Sequence, residues 1–187
     1  MPARVRAATL RYAAFMRGLN VGGRVVKMDE LKRIFTRLGF ANVESFIASG
    51  NIVFDSPPGS RAQLERTIED AIERTLGYAS ETFIRDFAEL SAIGTAEPFA
   101  GIHDAPTYLV GFLKAPLDAG AKKKFLALAS SHDRFAASGT EAWWHSDIGQ
   151  GQSKFSANAF DRALGVKSTW RNLRTIRRMV DRWGAGG

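Results

Sequence analysis

The sequence predicts an α+β fold built from two similar halves. Three observations carry this. Strand-like and helix-like runs follow the order β-α-β-β-α-β over residues 9–93. Much of that order recurs over residues 94–183. The strand candidates Tyr12–Met16 and Ile52–Phe54 are apolar at successive positions, so both of their faces are predicted to be buried.

In the first half, Thr9–Met16 is rich in aromatic and aliphatic residues and reads as a strand. It runs into Arg17-Gly18-Leu19-Asn20-Val21-Gly22-Gly23, a loop that its glycines make easy to fold back. Leu31, Ile34, Phe35 and Leu38 recur at helical spacing; Asp29 and Glu30 favour the N-terminal end and Gly39 the stop. Val43–Ala48 and Asn51–Asp55 are short strands around Ser49-Gly50, a hairpin signal. Ser60-Arg61-Ala62-Gln63 reads as a capping box opening a helix with Leu64, Ile68, Ala71 and Ile72 on one face, closed by Gly77. Glu81–Arg85 is a fourth strand. The order is that of the ferredoxin-like fold.

A short helix at Phe87–Ile93 and a loop around Pro98 lead into the second half. There Thr107–Leu113 is a strand, Asp118 caps a helix running to Ala129, and Arg134–Ala137 and Thr140–His145 form a hairpin around Ser138-Gly139. Ser156 caps a helix to Leu164, and a last helix runs from about Arg171 to Trp183. No second closing strand is evident. The predicted fold is therefore two ferredoxin-like subdomains packed into one compact body, with an extra C-terminal helix. Phe15, Leu31, Phe35, Ile47, Phe54, Leu64, Ile68 and Leu109 are expected in its core.

Composition narrows the function classes. The 187 residues are 45% hydrophobic and 24% charged, an ordinary globular balance. Cysteine is absent, which removes disulfides, thiolate chemistry and sulfur-ligated zinc. No apolar run is long enough to cross a bilayer and none forms the apolar stretch of a secretory signal, so the expectation is a cytoplasmic protein with no membrane partner. The three histidines, His103, His132 and His145, lack metal-ligand spacing, so neither a metal nor a cofactor is expected.

The net charge of +7 permits attraction to phosphate-bearing partners. Arg171, Arg174, Arg178 and Arg182 form a stripe on the last helix, opposite Leu173, Ile176, Val180 and Trp183. Such a stripe either tracks phosphates or is a solvated face. Gly18–Gly23 lacks the lysine-hydroxyl ending of a P-loop; it presents backbone N–H groups to an anion or serves as a tight strand-to-helix turn. Ser49-Gly50-Asn51 is a polar hairpin tip. Gly149-Gln150-Gly151-Gln152-Ser153-Lys154 places a hydroxyl and an amine before a helix start, a pattern that suits phosphate or forms a plain loop. Trp143-Trp144 reads as core packing.

Residues Ala14–Gly23 with Lys27, Met28 and Leu31 resemble the opening block of the domain of unknown function 1697 family. Phe46–Phe54 resembles its second block, usually T-Y-I-Q-S-G-N, and Ser153-Lys154, Leu164-Gly165 and Thr169–Thr175 resemble its C-terminal blocks. Ser45, Phe46, Ala48 and Leu173 depart from the usual residues. The resemblance implies two ferredoxin-like subdomains and no established activity. It marks Arg17, Asn20, Lys27, Ser49, Asn51, Ser153, Lys154, Arg171 and Asn172 as candidate ligand-binding positions without giving them roles.

Nearly all of these are donors or cations, a set better suited to holding an anion than to proton transfer. The expected function is binding of a small phosphate-bearing or other anionic ligand. If one site is involved, Asn20, Asn51 and Lys154 are expected around one cavity. The alternatives are a nucleic-acid binder using the basic C-terminal helix and a structural or interaction protein. Whether the protein is an enzyme stays open: Asp55, Asp86, Glu141 and His145 are all available for proton transfer, with no reason to choose among them.

Overall fold

The computed structural model describes residues 9–20, 22–47, 50–103 and 105–184. They form an α+β fold with two four-stranded antiparallel sheets and six helices. The chain divides into two compact units, one reaching Glu89 and resuming at Trp183, the other Leu90–Arg182.

The first unit contains β1 (Leu10–Met16), α1 (Met28–Arg37), β2 (Ala41–Ser45), β3 (Asn51–Ser56), α2 (Arg61–Leu76) and β4 (Thr82–Asp86). Its sheet order is β2-β3-β1-β4. The helix α3 (Phe87–Thr95) leads into β5 (Thr107–Leu113), α4 (Ala119–Leu126), β6 (Asp133–Ser138), β7 (Glu141–Ser146), α5 (Ala157–Leu164) and β8 (Ser168–Asn172), followed by α6 (Leu173–Trp183). The second sheet order is β6-β7-β5-β8. Both are the ferredoxin-like arrangement, with the first and third strands in the middle.

The second closing strand thus exists, contrary to the sequence expectation. Ser168–Asn172 is short, and its last two residues fall inside the helix predicted from about Arg171, so its strand character shows only in its pairing. Leu109 to Leu113 pair antiparallel with Asn172 to Ser168, just as Tyr12 to Met16 pair with Asp86 to Thr82. The two registers superpose Arg85 on Arg171 and Ala14 on Gly111, a correspondence invisible in the residues alone.

In the first unit the inner face of the sheet packs on α1 and α2 through Leu31, Ile34, Phe35, Ile68, Ile72 and Phe54. Phe15 and Val53 point to the opposite face and are buried too, as the doubly apolar strands required. In the second unit Phe125 and Phe160 pack against Trp144, Phe155 and Trp170. Gly111 lies under Trp170: a Cβ there would sit 2.7 Å from the indole ring.

Each closing strand is an edge, and edge N–H groups need partners. Helix carboxylates supply them. Glu65 and Glu69, one turn apart on α2, accept from the N–H groups of Ile84 and Thr82, which are two residues apart on β4. Asp161 on α5 accepts from the N–H of Ser168 in the same way. These acids look like solvated helix residues in sequence, yet Glu65 and Asp161 are buried.

Caps fall mostly where expected. Asp118 and Ser156 accept from the N–H groups of Ala121 and Ala159, and Gly77 ends α2 in the left-handed conformation. Ser60 begins α2, but its hydroxyl makes no cap bond; its carbonyl accepts from Gln63 and Leu64 instead. A reciprocal cap stands at α3, where Glu89 N–H donates to the Asp86 carboxylate and Asp86 N–H to that of Glu89.

Of the expected core, Leu64 is only partly buried and Ile47 is 47% exposed. β2 ends at Ser45, and the Phe46 N–H donates to the Asn51 carbonyl, so Ile47 falls in the turn with φ of 58°. A β-branched residue is strained there, by about 1–2 kcal/mol. Ile47→Asn is therefore expected to raise unfolding stability by about 1 kcal/mol, checked by urea denaturation. Among the described residues no helix is long and apolar enough to cross a membrane.

Candidate functional site

In the first unit the loop after β1 is held by its own neighbours. Asn20 Oδ1 accepts from the Val26 N–H at 2.8 Å. The Tyr78 hydroxyl donates to the Leu19 carbonyl and Ser80 Oγ to that of Arg17, both at 2.8 Å. Arg17 pairs with Glu81 at 3.1 Å, and the Arg24 guanidinium stacks 4.1 Å from the Tyr78 ring centre. Asn51 is fully buried and donates to the Phe46 carbonyl across the hairpin. Here the side chains of Asn20 and Asn51 shape backbone, as turn residues do. Lys27 is exposed at the start of α1, beside a cavity lined also by Asp29, Glu30, Arg33 and Arg37. Ser49 lies outside the described residues.

The second unit holds a cavity of about 470 Å³, within the usual range for small-molecule sites. The start of β6, the loop from Ile148 to Ser156 and the face of α5 enclose it. Two of the nine candidate positions, Ser153 and Lys154, line it, together with Ser130, Ser131, His132 and Asp133. Asp133 organises this wall. Its carboxylate accepts from Trp144 Nε1 at 2.8 Å, Ser153 Oγ at 2.9 Å and Ser130 Oγ at 3.0 Å. Ser153 Oγ in turn accepts from the Phe155 N–H. His132 Nδ1 lies 2.7 Å from Asp147. Lys154 is exposed and makes no hydrogen bond or ion pair with a described residue.

The remaining candidates lie on β8. Arg171 is a strand residue, so the four-arginine helical stripe is reduced to three residues on α6. Arg171 donates to Thr169 Oγ1 at 2.7 Å and to the Trp170 carbonyl at 2.9 Å, and burial brings its pKa down to about 10. Asn172 Oδ1 accepts from the N–H of Arg174 in the first turn of α6. Arg177, on the same helix, donates to the carbonyls of Gly94 and His103.

None of the four proton-transfer candidates lines the cavity. Asp55 is held by Arg11 at 2.8 Å and Asn42 at 2.6 Å; Asp86 caps α3; Glu141 accepts from Thr140. His145 is buried between Phe99 and Tyr108, and its Nδ1 has no partner among the described residues. Among the described residues no cluster of three or more His, Asp or Glu could hold a metal ion.

These environments fix a pH response. Burial, and then Arg134, lower the His145 pKa from its ordinary 6.5. The Arg11 hydrogen bond lowers that of Asp55 despite opposing desolvation, with Asn42 adding to it. At Asp133 burial raises the pKa, but the donors Trp144, Ser153, Ser146 and Ser130 together outweigh it and hold it low. Below 6.5 the unfolded histidine takes a proton that folded His145 resists, so stability begins to fall there. The two carboxylates stabilise the fold above the ordinary carboxylate range, and that contribution is lost as pH falls through their lowered folded values. Unfolding midpoints measured between acid and neutral pH are expected to decline in two stages, the first abolished by His145→Phe.

Sequence reasoning missed Ser130, His132 and Asp133. Ser130-Ser131-His132-Asp133 matches no motif, and the partners of Asp133, Ser130, Trp144, Ser146 and Ser153, stand 3, 11, 13 and 20 positions away.

Comparison with known proteins agrees with the fold. Residues 10–143 match the family model "Protein of unknown function (DUF1697)", and the chain belongs to that family. The solved structure of the conserved bacterial protein SP0830 from Streptococcus pneumoniae is similar, with 26% identity and a TM-score of 0.69; the match covers 93% of this chain and 98% of that one. A second structure, described as "putative glycine cleavage system transcriptional repressor", matches at 14% identity with a TM-score of 0.22, over 87% of this chain and 95% of that one. No curated protein matches.

Proposed function

We propose that the protein binds a small anionic ligand in the cavity of its second unit, with Lys154 as the countercharge. The observation that supports this reading is the pairing of an uncommitted lysine with a cavity of about 470 Å³. The wall beside it is cross-linked: Asp133, at the start of β6, accepts from Ser153 in the loop that carries Lys154 and from Trp144 on β7. A preorganised wall lowers the cost of ordering on binding. Five of the other positions, Arg17, Asn20, Asn51, Arg171 and Asn172, have work in holding backbone or neighbouring side chains.

A thermal-shift screen of carboxylates, phosphates and sugar phosphates tests this. At least one anion is expected to raise the melting temperature of the wild type, and Lys154→Ala is expected to remove most of that rise while leaving the unliganded midpoint within about 1 °C, because exposed substitutions of this kind are nearly neutral. A ligand-induced shift of equal size in both proteins would refute the assignment of Lys154.

A further inference from the structure

Resting on that reading, we infer that the ligand is an amphipathic monocarboxylate: an apolar aliphatic or aromatic body carrying a single negative charge. The polar groups of the cavity wall point to this through what they have left to give. Ser130 Oγ donates to Asp133 and accepts from the N–H groups of His132 and Asp133. Ser153 Oγ donates to Asp133 and accepts from Phe155. Ser156 Oγ accepts from Ala159, and Gln152 Oε1 from Gly149. His132 has committed Nδ1 to Asp147. The uncommitted donors of the lining are then the Lys154 amine, the Ser131 and Ser156 hydroxyls, the second ring nitrogen of His132 and the Gln152 amide nitrogen, all in the cavity's polar wall.

A sugar phosphate or nucleotide brings many hydroxyl and ring polar atoms, each costly to bury without a partner. The apolar side chains that make up the rest of the lining offer them none. The polar wall has enough for one carboxylate. A dianionic phosphate is disfavoured further, since one lysine faces it and the ionised Asp133 lies in the same wall.

The rest of the cavity is apolar: Leu128, Ile148, Phe155, Ala159, Phe160 and Ala163. Leu128 is 45% exposed although it is a large aliphatic residue. Such a rim gains by being covered with an apolar group. Lys154 holds the carboxylate, and the aromatic and aliphatic wall takes the body.

Isothermal titration of the full chain tests the assignment with octanoate, 3-phenylpropionate, the neutral 3-phenylpropanol, glucose 6-phosphate and inorganic phosphate. At least one of the two carboxylates is expected to bind, about tenfold or more tighter than the alcohol, with the difference abolished in Lys154→Ala. Ala159→Trp, at an exposed helix position lining the cavity, is expected to abolish binding with an unchanged circular dichroism spectrum. Glucose 6-phosphate or phosphate binding that depends on Lys154, with neither carboxylate bound, would overturn the monocarboxylate and leave the anion site standing. Carboxylate binding untouched by both substitutions would overturn the site itself, and no binding by any probe would overturn both.

Discussion

Asp133→Ala is expected to destabilise the protein by about 3 kcal/mol, because it strands buried donors. Trp144 is 1% exposed, and its indole N–H donates to Asp133 at 2.8 Å. Without the carboxylate that N–H sits in the aromatic core with nothing to accept it. Ser130 and Ser153 lose the same acceptor but lie nearer to water and re-pair more easily. The loss is therefore dominated by Trp144. Asp133→Asn keeps the shape and one acceptor oxygen, and is expected to cost about half as much. The effect on binding follows from the same bonds. Freed from Asp133, the loop carrying Ser153 and Lys154 no longer presents the lysine in one place, so affinity for the anion falls although Lys154 is intact. Urea denaturation of the two variants, followed by titration with the best anion from the screen, checks both parts. Loss of stability below about 1 kcal/mol for Asp133→Ala would mean that the carboxylate is not the organiser of this wall.

Gly111→Val is expected to cost a further large amount, about 3 kcal/mol, by a different route. The glycine sits mid-strand, where its conformation is ordinary, so backbone freedom is not the reason for it. Space is. A Cβ would lie 2.7 Å from the Trp170 ring, which packs in turn against Phe125, Phe155 and Phe160. The indole cannot retreat without moving that cluster, and it is also held by a 2.8 Å bond from Nε1 to Ser168 Oγ. Gly111→Val combined with Trp170→Leu is expected to be less destabilised than the sum of the single changes, because the smaller side chain vacates the space that valine needs. Thermal denaturation of the three variants measures this. Simple additivity would show that Trp170 is not what fills the space over Gly111.

Much of the fold was legible in the sequence because local signals and tertiary structure agree there. Thr107–Leu113 is apolar along its length and becomes a central strand over that same range. Asp118, Ser156 and Gly77 act at the helix ends where their chemistry placed them. The signals failed where a residue's partner is remote. Ser168–Asn172 carries weak strand character and is defined by pairing with β5. Ile47 is an apolar residue in an apolar run, yet the turn closed by Phe46 and Asn51 puts it outside. Glu65 and Asp161 look like surface acids and become edge-strand acceptors.

The proposed site was half legible for the same reason. Ser153 and Lys154 stand out as a hydroxyl and an amine before a helix. Their neighbours in the cavity wall, Ser130 to Asp133, come from the turn leading from α4 into β6, and only the fold joins them. Arg17, Asn20 and Asn51 stood out as donors equally well, but their bonds run to nearby backbone and to Glu81. Residue type identified donors without showing which were already committed.

The central claim is that the cavity holding Lys154 is the ligand site. The measurement that tests it most directly is an amide NMR titration of the isotope-labelled protein with the tightest-binding anion. Saturable shifts at Ser131, His132, Ser153, Lys154 and Ala159, reduced in Lys154→Ala, are expected. Shifts centred instead on Arg17, Asn20 and Lys27, with the second-unit cavity silent, would contradict the account.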